Sequence, residues 1–351
     1  MNIKSLLLGS AAALAVVSGA QAADAIVAAE PEPVEYVRVC DAYGTGYFYI
    51  PGTETCLKIE GYIRFQVDFG KDQSDHGNPG PGGFPEGTSD WDAFTRGQVQ
   101  FTAKSDTEYG PLTGVIVLQA NADAANSAFQ NTKLDSAYID IAGFRAGLFY
   151  SWWDDGLSGE TDVLASHETL HNSIRYQYES GDFYAGISVD ELEDGHYNPG
   201  ENPNNVGVAL GLGGKAGAFT YQVTGGYDTD NEEGAIRGMG TVAIGPGTLG
   251  LAAVWASGGN SYYDASEWTI AAEYAIQATD KLKITPGAQY FWNYGLESNN
   301  QDFADGDAWK VGLTLDYQIT DNFYAKASVQ YLDGDDIDDQ TTGYFRLQRA
   351  F

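Results

Sequence analysis

From Lys58 onward, hydrophobic side chains recur at every second residue. Ile59, Gly61, Ile63, Phe65, Val67 and Phe69 share one face, and Glu60, Tyr62, Arg64, Gln66 and Asp68 share the other. A period of two belongs to a strand with unlike surroundings on its two sides. The chain ends the same way, with Phe345, Leu347 and Phe351 opposite Tyr344, Arg346 and Gln348. Arg349 interrupts the apolar side close to the terminus, where a long side chain can reach a polar interface. Between these ends the alternation predicts strands near 92–104, 112–120, 133–142, 144–150, 172–179, 182–190, 205–213 and 217–227. It continues near 235–244, 248–257, 267–277, 282–293, 308–319, 322–332 and 342–351, about sixteen strands in all.

The connections are unequal. Ala142-Gly143, Ser180-Gly181, Gly214-Lys215-Ala216, Gly245-Pro246-Gly247, Thr279-Asp280-Lys281 and Thr320-Asp321 read as tight turns, whereas 70–91, 151–171, 191–204 and 294–307 are long. A chain that begins and ends on strands leaves unpaired backbone edges unless the last strand pairs with the first. A closed antiparallel barrel removes those edges, and in lipid it is the β structure that satisfies every backbone group. Apolar residues outward, polar residues inward, and short turns at one end with longer loops at the other are the pattern of a transmembrane barrel. A β-sandwich also contains many strands, but gives no reason for long connections to gather at one end. Tyr178, Tyr227, Trp255, Trp268, Trp292, Tyr317, Tyr331 and Phe351 lie on the apolar face toward strand ends, where aromatic girdles form.

Met1 to Ala22 has the layout of a secretory signal: Lys4, an apolar run from Leu6 to Val17, then Ala20-Gln21-Ala22. Residues 23–56 are expected to form an N-terminal periplasmic leader, Ala-, Pro- and Glu-rich at its start, and 57–351 the barrel. No later run is long and apolar enough for a membrane helix. The chain carries 49 acidic against 18 basic residues, a net charge of −31. A field of that sign excludes nucleic acid as a partner for the molecule as a whole. Disorder is countered by 13% aromatic residues and by the regular alternation. Cys40 and Cys56 are the two cysteines. In an exported chain they are expected to form a disulfide, which contributes roughly 3 kcal/mol in the chain-entropy account.

The stretch from Val37 to Arg64, which reads Val-Arg-Val-Cys-Asp-Ala-Tyr-Gly-Thr-Gly-Tyr-Phe-Tyr-Ile-Pro-Gly-Thr-Glu-Thr-Cys-Leu-Lys-Ile-Glu-Gly-Tyr-Ile-Arg, closely resembles the N-terminal signature of the alphaproteobacterial general porins. Phe345-Arg-Leu-Gln-Arg-Ala-Phe351 resembles the last strand of the same family. The resemblance implies an outer-membrane channel for ions and small hydrophilic solutes. It also implies a homotrimer among outer-membrane lipid and lipopolysaccharide, with a third outer loop that folds inward. That loop, Ser151 to His171, carries Asp154, Asp155, Glu160, Asp162 and Glu168 and no Lys or Arg. Opposite it, the lumen face of the first two and last two strands offers Arg64, Arg96, Lys326 and Arg346. Acid facing base across a narrow passage sets a transverse field that filters solutes by charge. Solvated loop acids and locally paired bases are the plainer reading of the same residues. Gln66, Gln98, Gln100, Gln318 and Gln330 would keep the lumen wet. A sugar-selective channel using Trp152 and Trp153 as a stacking platform is the alternative.

Other motifs carry less. His167-Glu-Thr-Leu-His171 matches a zinc-hydrolase pattern that requires a helix, yet the residues that follow alternate as a strand. Gly211-Leu-Gly-Gly-Lys-Ala216 lacks the Gly and the Ser or Thr of a phosphate loop and is expected to be a tight turn. Asp333 to Asp339 is acidic without the ligand spacing of a calcium loop and reads as solvated outer loop. No enzyme activity, cofactor or metal is expected.

Overall fold

The computed structural model describes residues 38–70, 91–122, 132–166, 168–192 and 205–351. The expected signal segment, residues 23–37 of the leader, and His167 lie outside the described residues. The fold is that of the unit Val39–Phe351.

A short strand β1 (Phe48–Tyr49) precedes β2 (Cys56–Phe69), β3 (Trp91–Thr107), β4 (Gly110–Ala122), β5 (Thr132–Ile141) and β6 (Phe144–Tyr150). Then follow β7 (Leu170–Ser180), β8 (Phe183–Glu191), β9 (Val206–Ala216), β10 (Phe219–Asp228), β11 (Glu233–Ile244) and β12 (Gly247–Ala256). The last are β13 (Ser266–Gln277), β14 (Leu282–Tyr294), β15 (Ala308–Thr320), β16 (Phe323–Gly334) and β17 (Gln340–Ala350). The sixteen strands β2 to β17 pair antiparallel with their sequence neighbours, and β17 returns to β2. The ring is therefore closed. Phe345 lies across from Val67 and Gly343 from Phe69. Phe351 extends the seam by one residue, exchanging two backbone hydrogen bonds with Gly61 at 2.9 and 3.1 Å.

Each predicted strand falls on an observed one. The residues assigned to the apolar face are largely exposed on the outside: Ile59, Ile63, Phe65, Phe69, Phe345 and Phe351 all stand open, whereas Gln66 and Asp68 are buried. Outside is apolar and inside polar, the reverse of a soluble protein. Trp255, Trp268 and Trp292 line up in register across β12, β13 and β14, all exposed toward the ends that carry the long loops.

One turn moves. Gly214, Lys215 and Ala216 remain in β9, paired with Tyr221, Thr220 and Phe219 of β10, and the reversal occurs at Gly217, whose φ is +65°. The glycine run expected as a turn is strand because its small residues clear space for rings inside the barrel. Gly211 faces the Trp152 indole and Gly213 the Tyr184 ring, each closer than any Cβ would permit.

At the short-turn end, Cys40 and Cys56 are joined in a disulfide. β1 pairs with the start of β2, Tyr49 opposite Cys56. Tyr43 donates a hydrogen bond of 2.6 Å to Asp106 Oδ1 on β3, while Lys104 approaches the rings of Tyr43 and Tyr47. The disulfide loop is thus fastened to two strands at their ends.

Candidate channel constriction

The connection 151–169 begins and ends on adjacent strands, with Ser151 N bonded to Thr169 O at 2.8 Å. A single 3-10 turn, Trp152–Asp154, is capped by Ser151 Oγ, which accepts from Trp153 N. From there the segment is hydrogen-bonded to residues of several strands.

Arg237 on β11 is 1% exposed. Its Nη1 donates to Trp153 O at 2.8 Å and Leu164 O at 3.1 Å, and its Nη2 to Trp152 O at 2.6 Å and Gln222 Oε1 at 3.1 Å. One guanidinium therefore ties both limbs of the loop by their carbonyls, and its planar fork suits that task better than an ammonium. Glu273 on β13 accepts from Gly159 N and Thr161 N. Gln289 on β14 reads the backbone of Val163 twice, accepting from its N at 2.7 Å and donating to its O at 2.8 Å. Lys326 on β16 meets Glu160 Oε1 at 2.6 Å. The anchors come from four strands, β11, β13, β14 and β16.

A second connection, 257–265, packs beside it. Asn260, Ser261, Tyr262 and Tyr263 are fully buried. Ser166 N donates to Tyr262 O, and Ser166 Oγ donates to Ser261 O. Tyr262 OH donates to Asp190 Oδ2 at 2.8 Å, and its ring lies against Trp153 and His171 and over Gly226. Burial and the Asp190 carboxylate push the Tyr262 hydroxyl far above the ordinary tyrosine range. Trp152, Trp153, Leu164, Leu192, Val254 and Tyr262 form an apolar cluster among the described residues. The two tryptophans are 5% and 1% exposed, which removes them as a sugar-stacking platform.

The five acids of the loop have separate fates. Glu160 bonds to Lys326 of the basic wall. Asp154 accepts from Thr169 Oγ1, Asp155 from Gln222 Nε2, Asp162 from Leu157 N and Glu168 from Leu170 N. Asp162 also stands beside Glu273. The wall is continuous in register: Lys326 faces Arg346 across β16 and β17, and Arg64 faces Arg96 across β2 and β3. Three of its guanidinium groups are held by amides. Arg64 Nε donates to Gln348 Oε1 at 2.9 Å, Arg346 Nε to Gln66 Oε1 at 2.5 Å, and Arg96 Nε to Asn121 Oδ1 at 2.7 Å.

Arg237, Glu273, Gln289, Lys283 and Asp316 are site residues that the alternation alone does not single out. Asp316 bridges Lys283 at 3.1 Å and Lys326 at 3.4 Å. Each is a polar residue on an inward position, and a search for charged residues on the polar face of every strand finds four of the five. His171 is buried in β7 against Tyr262, and among the described residues no group of three His, Cys, Asp or Glu is placed to hold a metal ion.

The profile of the porin subfamily matches residues 24–347. The chain belongs to the porin family. Outer membrane protein IIIA of Rhizobium leguminosarum bv. viciae is 67% identical over 362 residues, covering 98% of this chain and 93% of the relative. Porin Omp2b of Brucella suis is 33% identical, with full coverage of both. In fold the porin is similar to OmpT, an outer membrane protein of Vibrio cholerae solved in a trimer form, at a TM-score of 0.62 and 14% identity. That likeness covers 85% of this chain and 100% of the other. The porin is an integral protein of the outer membrane, and its family is one of channels rather than enzymes.

Proposed function

We infer that the porin conducts ions and small hydrophilic solutes by passive diffusion, and that the segment 151–169 folds into the lumen and sets the size limit. The reading is carried by the hydrogen bonds from that segment to Arg237, Glu273, Gln289 and Lys326, all on the polar face of the barrel. With 257–265 packed beside it, open space remains on two sides of the segment, one lined by Asp140, Arg145, Arg175 and Tyr184 and one by Arg64, Asp316, Lys326 and Arg346. On this reading solutes pass on the second side, between the loop tip near Glu160 and the arginine row. A solute crossing there passes one carboxylate–ammonium contact and then guanidinium groups, a transverse field without a covalent step.

Residues 1–22 act as the export signal and 23–56 as the periplasmic leader, with the barrel from 57. The trimer form of the Vibrio neighbour supports a homotrimer in outer-membrane lipid and lipopolysaccharide. Planar-bilayer recording of the purified mature protein tests the reading. Large ohmic steps grouped in threes are expected, together with a steep decline of permeation with solute radius in liposome swelling. Silent insertions would overturn it.

A further inference from the structure

The first and last strands of the barrel carry the same five-residue pattern. Tyr62-Ile-Arg64-Phe-Gln66 on β2 and Tyr344-Phe-Arg346-Leu-Gln348 on β17 both read Tyr-x-Arg-x-Gln. The strands are antiparallel and in register, so Arg64 lies opposite Gln348 and Arg346 opposite Gln66. The contacts reproduce this local twofold. Each arginine rests over the tyrosine two residues before it, at 4.9 Å for Arg64 on Tyr62 and 4.5 Å for Arg346 on Tyr344. Each Nε is taken by the glutamine across the seam.

An amide orients a guanidinium without neutralising it. A carboxylate in the same place would cancel the charge. The two arginines are diagonal neighbours across the seam, about 7–8 Å apart along the sheet, where like charges repel in the absence of a counter-ion. They line a cavity of about 350 Å³ together with Lys281, Lys283 and Lys326. Against those five bases the cavity wall holds two carboxylates, Asp280 and Asp316; Asp316 is engaged by Lys283 and Lys326, and Lys326 also meets Glu160 of the loop.

We propose that this cavity at the β2–β17 seam is a binding subsite for a small multivalent oxyanion of the phosphate class, held by the Nη edges of Arg64 and Arg346 with Lys281 and Lys283 beside them. The fork of a guanidinium meets two oxygens of one oxyanion at once, and two forks fixed by tyrosine and glutamine can share a tetrahedral ion between them. The subsite turns part of the arginine row from a passive field into a resting place for a solute, with uptake that saturates. It rests on the reading of the barrel as an open pore.

The test is single-channel recording in which inorganic phosphate replaces chloride at constant ionic strength and pH. The expected result is a current that falls and saturates with phosphate in the wild type. In an Arg64→Gln/Arg346→Gln double variant the half-saturating concentration should rise at least about tenfold, the loss of charge-assisted hydrogen bonds. Arg64→Lys and Arg346→Lys keep the charge and lose the fork, and should also weaken saturation; they serve if the double variant fails to fold. Normal chloride steps with a linear dependence on phosphate in the wild type would overturn the subsite and leave the porin reading standing. Saturation unchanged in the arginine variants would overturn it as well. Absence of chloride steps would overturn the pore reading itself.

Discussion

Glu160 and Lys326, 166 residues apart in the chain, meet at 2.6 Å where the loop tip reaches β16. Both side chains are partly exposed, at 31% and 25%. A pair so placed contributes at most about 1 kcal/mol to stability. Its effect falls on permeation instead. Glu160→Gln should move the reversal potential under a salt gradient toward the anion, and Lys326→Gln toward the cation, with little change in unfolding temperature. Equal reversal potentials in both variants would show that the pair lies off the conduction path.

Arg237 has the opposite balance, because it is fully buried and three of its four hydrogen bonds are to backbone. Arg237→Ala removes the side-chain donor from the carbonyls of Trp153 and Leu164 and leaves Trp152 O with Asp155 N alone, at about 1–3 kcal/mol for each buried group that stays unpaired. The barrel ladder does not depend on them, so the strands should persist while the loop loosens. Noisier open-channel current is expected, along with chymotrypsin cleavage near Trp152, Trp153 or Leu164. Trypsin would report nothing, since 151–169 contains no Lys or Arg. Resistance to chymotrypsin equal to that of the wild type would assign the anchoring to Glu273, Gln289 and Lys326.

The strands were legible because lipid outside and water inside impose a period of two that no packed soluble core enforces so evenly. The reversal after β9 was misplaced for a local reason. Gly214-Lys215-Ala216 has turn composition, but its backbone is still paired, and the space it leaves is used by rings from elsewhere. Loop contacts were harder to read. Tyr262 lies in a short polar stretch with no apolar pattern, and its burial depends on glycines at 207 and 226 on two other strands. The charges of the wall were visible as single residues. Their pairing with Gln66 and Gln348 required the register of the closing seam, which neither strand contains alone.

That seam extends to the last residue. Phe351 exchanges two backbone hydrogen bonds with Gly61, and its ring approaches within 3.0 Å of where a Cβ on Gly61 would lie. Deleting Phe351 removes both bonds, a loss of about 1–3 kcal/mol at the point of closure. The temperature at which folded and unfolded bands interconvert on a gel should fall. Gly61→Val should do the same from the opposite strand, by forcing a side chain toward the Phe351 ring and the backbone of Gln98. Unchanged melting in both variants would show that the seam closes without its final residue.

The Tyr43–Asp106 contact predicts a pH dependence at the short-turn end. The hydrogen bond to the Asp106 carboxylate pushes the Tyr43 hydroxyl up to about 12. Protonated Tyr43 is the donor, so the contact is complete below the ordinary tyrosine value of about 10 and is lost as pH rises through about 12. The ring-carbon resonance of Tyr43 in detergent-solubilised protein should titrate late, and Asp106→Asn should return its midpoint toward the ordinary value. The same variant should speed reduction of the Cys40–Cys56 disulfide at neutral pH, since the loop it closes would lose its hydrogen bond to β3 and keep there only the Lys104 contacts with the Tyr43 and Tyr47 rings. A Tyr43 midpoint near 10 in the wild type would show that the disulfide loop is held by β1 pairing and the Lys104 contacts without the Asp106 hydrogen bond.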